Sequence, residues 1–285
     1  LLVLCGMNVF EAACHTFTTM ATGGFSTRNI SVEAFGNPWA ELVIIFFMVV
    51  AGTNFTLHYR ILHGRVDSML KDREFFLYAG ILCGGTLLLF ASIYPGGRLD
   101  FTTALRQAGF QAASIMTTTG YSTCNFDTWP TFAKCILLLL MFAGGCAGST
   151  AGGIKCMRIL LLLKQTYREL FCMVHPNAVV SIKIGGRAVP ENILRGIANF
   201  IVVYLVIFAA GSTVMALCGL DFMTAVSSTA TTLGNIGPGF AGVGPYQNFL
   251  WISDAGKWTL TLMMLLGRLE LFTLLILLVP AFWKK

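Results

Sequence analysis

The chain has 285 residues, of which 56% are hydrophobic and 11% charged, and its mean hydropathy is +0.75. Soluble domains carry about 25% charged residues, so the composition excludes an ordinary soluble domain and points to an integral, multi-pass membrane protein. The formal net charge of +6 follows from membrane topology, as argued below, and gives no reason to expect nucleic acid as a partner.

Residues 1–10 lack the basic region and cleavage site of a signal peptide, and residues 1–6 read as the stump of a helix cut short. A helix needs about 20 apolar residues to cross a bilayer. Residues 38–59, 75–93, 197–217 and 258–283 reach that length, as does 132–163, although Gly and Ser interrupt it. Residues 7–22, 100–118 and 220–232 are short segments, and each ends in a version of one phrase. Residues 20–27 read MATGGFST, 116–123 read MTTTGYST, and 230–237 read ATTLGNIG. Aligned, they put Thr22, Thr118 and Thr232 in one column and Gly24, Gly120 and Gly234 two places on. The lead-ins agree as well: Asp100, Phe101, Ala104 and Leu105 match Asp221, Phe222, Ala225 and Val226, with Phe10-Glu11-Ala12 a shorter echo. The repeat is too long for a solenoid and suits a helix, a re-entrant half-helix and a second helix. The expected architecture is therefore all-α. Units of helix, re-entrant pore helix, filter loop and helix surround a central ion pore, over residues 1–72, 73–194 and 195–285. The first unit lacks most of its first helix.

Nine cysteines without a CxxC pair, and His15, His58, His63 and His175 scattered along the chain, give no metal or redox framework. Charge tests the topology. A half-helix that re-enters leaves on the side it came from, so the linkers between units lie on the opposite side. Those linkers and the C-terminus carry thirteen Lys and Arg, Arg60 to Arg73, Lys155 to Arg195, Lys284 and Lys285 among them, against five acids. The other side carries Arg28, Arg98, Arg106, Lys134 and Lys257 against seven acids. Basic residues mark the cytoplasmic side, so the phrases open outward, on a mildly acidic face that attracts cations.

A cation stripped of water needs oxygen ligands, and extended backbone supplies them as carbonyls. Glycine permits the required conformations, threonine adds a hydroxyl, and a helix ending just before the site directs its negative end at the ion. Irregular backbone at membrane depth is tolerated only where it is buried or lines a cavity. Three half-helices, each followed by Thr-x-Gly, are thus the expected design of a cation filter. Its candidate residues are Thr22, Gly23, Gly24 and Phe25, then Thr118, Thr119, Gly120 and Tyr121, then Thr232, Leu233, Gly234 and Asn235. The plain alternative is that Gly and Thr ease helix packing.

These phrases, with TLGNIGPG at 232–239 and GGCAGSTAGG at 144–153, resemble the Trk/Ktr/HKT superfamily of potassium transporters, its TrkH branch in particular. The resemblance covers essentially the whole chain. It implies four pore repeats with one key filter glycine each, of which this chain carries ones like the second, third and fourth. It implies gated, channel-like potassium uptake across the cytoplasmic (inner) membrane, with potassium as substrate and no covalently bound cofactor. It further implies a homodimer, surrounding lipid and a cytoplasmic nucleotide-binding ring of TrkA type, for which the basic linkers 60–73 and 155–195 are docking candidates. Their charge is equally explained by the positive-inside bias.

The glycine run at 143–153 is unfavourable for helix, at about 1 kcal/mol per glycine relative to alanine. By itself it fits close helix packing, a phosphate loop, or a helix broken at mid-membrane. A phosphate loop requires Gly-Lys-Ser/Thr, and Ile154 displaces Lys155 from that step. The resemblance selects the break: a gate loop under the filter, comprising Gly144, Gly145, Gly148, Ser149, Thr150, Gly152 and Gly153. Arg268 stands near the middle of the 258–283 span, where charge is costly. An ion pair with Glu270 is disfavoured because residues two apart on a helix do not face each other. In the resembling family an arginine here points into the pore beneath the filter. Gly237 to Gly242 match GxGxxG but lack the strand and acid of a dinucleotide site. A sodium- or proton-coupled symporter is the rival reading; it would bury carboxylates along the path, and Glu270 is the single acid deep in an expected span. An enzyme is not expected, since no catalytic cluster of His, Cys or carboxylate is present.

Overall fold

The computed structural model describes residues 1–65, 67–96 and 99–284; Arg98 and Lys285, counted above in the charge balance, lie outside the described residues. The helices follow in order: α1 (Val9–Met20), α2 (Pro38–Ala51), α3 (Phe55–Leu62), α4 (Asp67–Leu70), α5 (Arg73–Ile93), α6 (Phe101–Met116), α7 (Thr131–Ala143), α8 (Cys156–Val174), α9 (Glu191–Leu217), α10 (Phe222–Gly234), α11 (Asp254–Arg268), α12 (Leu271–Leu275) and α13 (Pro280–Trp283). A small antiparallel hairpin, β1 (Lys183–Ile184) and β2 (Arg187–Ala188), interrupts the α-helical order between α8 and α9. The position expected as a unit boundary, between 194 and 195, falls inside α9.

The three half-helices start alike. Asn8, Asp100 and Asp221 each accept a hydrogen bond from a backbone N–H of the first turn, at 2.8, 3.3 and 3.2 Å, which satisfies donors that the helix itself cannot. Bonds from Thr102 hold the exposed Asp100 carboxyl below the usual carboxylate range, and bonds from Thr224 do the same for Asp221.

Three of the expected spans are not continuous. Segment 38–59 is α2 and α3 meeting at 99°. The chain turns at Gly52–Asn54, and Asn54 caps α3 by accepting from Thr56 N at 2.8 Å. Segment 132–163 is α7, a non-helical loop and α8. Segment 258–283 breaks after Arg268, and Leu271–Leu278 turns 114° away from α11. The break is at Glu270, whose φ of +59° a right-handed helix cannot contain. Among the described residues, α5 and α9 are the two single helices long and apolar enough to cross a membrane.

The main core lies where α5 and α7 cover α6. It buries Tyr78, Leu89, Ile115, Met116, Phe126, Leu137 and Met141 around the small residues Ala104, Ala108 and Ala112. Lipid is as apolar as leucine, so close approach and packing hold such helices together. The alanines, one per helical turn, let α6 sit centrally with its C-terminal end fixed.

Candidate ion pathway

Each half-helix ends in the same backbone turn. The residues Thr22, Thr118 and Asn235 are left-handed, with φ of 49°, 56° and 56°, and each donates its N–H to the carbonyl three residues back, at 3.1 Å in all three. The next residue donates to the carbonyl five back: Gly23 to Thr18 at 2.7 Å, Thr119 to Ser114 at 2.9 Å, Ile236 to Thr231 at 2.8 Å. This is a Schellman turn. A glycine with positive φ follows each time: Gly24 (+67°), Gly120 (+84°) and Gly237 (+114°).

The third phrase is therefore three residues out of the expected register. Thr232, Leu233 and Gly234 belong to α10; the geometric equivalent of Gly24 and Gly120 is Gly237, and Asn235 takes the place expected for Thr232. Spacing from the caps agrees. Asn8 to Gly24 and Asp221 to Gly237 are both 16 residues, whereas Asp100 to Gly120 is 20, because α6 has about one more turn. The repeated Thr-x-Gly drew the alignment onto a helical segment, and the caps are the sequence signal that corrects it.

The loops lean on one another in series. A methyl group at Gly24 would stand 1.8 Å from the Thr119 carbonyl oxygen, and one at Gly120 1.9 Å from that of Ile236. At Gly237 it would meet nothing within 4 Å, and Gly23 and Phe25 are exposed. The ring of loops is open between Gly237 and Gly23. The middle loop, flanked on both sides, is buried, and Tyr121 packs back on α1 with its hydroxyl 2.5 Å from Thr18 Oγ1.

Among the described residues, the carbonyl oxygens of 22–24, 118–120 and 235–237 accept no hydrogen bond. The carbonyls that follow the first two glycines do: Phe25 O accepts from Thr18 Oγ1 at 3.0 Å and Tyr121 O from Ser114 Oγ at 2.6 Å. Nine backbone oxygens in partly buried loops are thus left without a protein donor, a condition that folded chains rarely tolerate unless another ligand fills it.

The loop from Gly144 to Lys155 is non-helical and lies against the half-helix end of these turns. Thr22 Oγ1 donates to Thr150 O at 2.9 Å, and Gly152 N donates to Thr118 Oγ1 at 2.7 Å. A methyl at Gly152 would stand 2.4 Å from Gly234 O. The base of the loop is held by Cys146 N to Gly52 O (2.8 Å) and Cys156 N to Gly145 O (2.9 Å). Arg268 Nη1 donates to Thr150 O at 3.1 Å, so one carbonyl receives both Thr22 and Arg268. Beneath lies a cavity of about 200 Å³ lined by Thr150, Lys155, Arg158, Arg268 and Glu270 among others. Glu270 pairs with Arg158 (2.7 Å) and Lys155 (3.7 Å), while Arg268 bonds the loop.

A family model described as TrkH, cation transport protein, matches residues 4–94 and 96–285. The chain belongs to the TrkH family. It is 43% identical over 98% of its length to the Trk system potassium uptake protein TrkH of Salmonella typhimurium, and 33% identical over 99% to TrkG of Escherichia coli. It spans 58% of each of those relatives. It superposes on the solved potassium transporter TrkH of Vibrio parahaemolyticus with a TM-score of 0.92 at 40% identity, covering 99% of this chain and 61% of that one. Members of this family are membrane transport proteins and not enzymes.

In this TrkH-family chain the buried acids differ from the sequence expectation. Glu270 is exposed at a helix break, whereas Glu11, Glu41 and Glu74 are buried. Each has a partner: Arg28 at 2.6 Å, Arg106 at 3.0 Å, and the N–H of Ala147 at 2.6 Å. Lys155, Arg158, Ile236, Gly237 and Glu74 are candidate site residues that sequence reading did not place there. Of these, only Gly237 left a sequence signal.

Proposed function

We propose that the chain borders a potassium pathway and carries the ion inward across the cytoplasmic membrane, through a pore that the glycine loop closes. The observation behind this reading is the set of nine unpaired carbonyl oxygens at the ends of three equivalent half-helices. A dehydrated potassium ion needs such oxygens in place of water, and the three helix C-termini direct negative dipole ends toward them. Potassium is the ion named for the relatives. The filter residues are Thr22, Gly23, Gly24, Phe25, Thr118, Thr119, Gly120, Tyr121, Asn235, Ile236 and Gly237, and a further loop of the same kind fits the open edge between Gly237 and Gly23. The gate is the loop with Gly144, Gly145, Gly148, Ser149, Thr150, Gly152, Gly153 and Arg268. The partnered state of Glu11, Glu41 and Glu74 favours this channel-like reading over sodium- or proton-coupled symport.

The same reading takes a second copy of the protein as partner, and a nucleotide-binding cytoplasmic ring of TrkA type docked on the basic linkers. The test is rubidium flux into liposomes containing the purified protein. Flux that follows the membrane potential, is indifferent to sodium and pH gradients, and loses potassium preference in Gly120→Ser supports the proposal. Flux that stops without a sodium or proton gradient contradicts it.

A further inference from the structure

Glu74 is the second residue of α5, and 2% of it is exposed. An ionised carboxylate is costly to bury unless donors surround it. Its Oε1 accepts the N–H of Ala147 at 2.6 Å. One carboxylate on α5 thus holds the glycine loop at Ala147, on the limb that rises toward Thr150.

We propose that Glu74 is a positioning residue that clamps the glycine loop in its closed place; this rests on reading the loop as the gate. Ala147 is three residues before Thr150, the residue whose carbonyl receives Thr22 and Arg268. The other bonds at the base, from Cys146 to Gly52 and from Cys156 to Gly145, join backbone to backbone. Thr150 Oγ1 also reaches Met20 O and Ala51 O, both at 3.3 Å, so Glu74 supplies the carboxylate contact, at 2.6 Å, among the side-chain bonds that set the height of the loop under Thr22 and Thr118. A hydrogen bond to a charged group is stronger than a neutral one, so its loss shifts the balance of closed and open loop by about tenfold.

The experiment is basal rubidium flux of the full-length protein in liposomes, without regulatory partners, alongside Arg268→Ala. Expected is a rise of about tenfold in Glu74→Ala and of no more than about threefold in Glu74→Gln, which keeps an acceptor oxygen at the same reach. The potassium-to-sodium ratio stays that of the parent in both. A merely structural role lowers flux in both variants and overturns the clamp. Flux that does not rise in Glu74→Ala while it rises in Arg268→Ala overturns the clamp and leaves the gate reading intact. Flux unchanged in all variants removes the gate reading as well. If Glu74→Ala does not incorporate, hydrogen exchange at the Ala147 amide in Glu74→Ser, whose hydroxyl is too short to reach it, decides: faster exchange than in the parent supports the clamp, and unchanged exchange contradicts it.

Discussion

Thr22 and Thr118 occupy left-handed backbone, a conformation that β-branched residues avoid and that persists where surrounding structure over-determines it. Here the glycine loop does so, by accepting from Thr22 and donating to Thr118. The third turn uses Asn235, which tolerates this conformation and turns its amide to Met264 O at 3.2 Å instead. Hydroxyls thus serve two of the three turns, and the loop reads them unequally. The register of the third turn is testable. Gly237→Ser should lower the potassium-to-sodium permeability ratio severalfold, whereas Gly234→Ala, inside a helix, should leave it within about twofold. The reverse pattern, in bi-ionic potential measurements, would restore Gly234 as the filter glycine. The first two turns were legible in the sequence because their glycines follow the helix end at the same distance. The third was not legible from the phrase, since Thr232-Leu233-Gly234 imitates it one turn too early; its register was carried by the distance from the Asp221 cap instead.

At the scale of elements, the apolar runs were visible but their breaks were not. Segment 258–283 reads as one helix because its composition stays apolar through Glu270. The break arises from tertiary contacts: Glu270 leaves the helix to meet Arg158 and Lys155, and Arg268 turns to Thr150. The same contacts explain why Arg268 and Glu270, two apart in sequence, have separate partners. Arg268→Ala should raise basal flux between about ten- and a hundredfold. A positive charge about 5 Å from an entering cation costs roughly 3 kcal/mol at an effective dielectric of about 20, and screening by water lowers that figure. Arg268→Lys should change flux less, since it keeps the charge while losing the guanidinium geometry. Liposome flux normalised to incorporated protein measures both, and equal flux in parent and Arg268→Ala would leave Arg268 a packing residue.

Across the whole molecule, three half-helices of unequal length converge so that Gly24 and Gly120 each meet a carbonyl of the next loop while Gly237 faces open space, and a single glycine-rich loop touches two of the three turns and the helix before the third. Tight serial contact explains why glycine stands at Gly24 and Gly120, and under the proposed function the shared loop is the one segment that would close a pathway bordered by several repeats. Removing residues 148–152 should raise basal flux by at least about tenfold while keeping most of the potassium preference, because the turns lose their bonds to Thr150 and Gly152 but keep their own backbone bonds, Gly23 to Thr18 and Thr119 to Ser114. The central claim is that the nine unpaired carbonyls surround an ion. Anomalous diffraction from crystals of the full-length protein grown in rubidium measures this most directly. The expected result is a peak within about 3 Å of the carbonyl oxygens of residues 22–24, 118–120 and 235–237, near the distances at which carbonyls replace a potassium ion's water. A rubidium peak elsewhere, with these oxygens bonded to water or to protein alone, would contradict it.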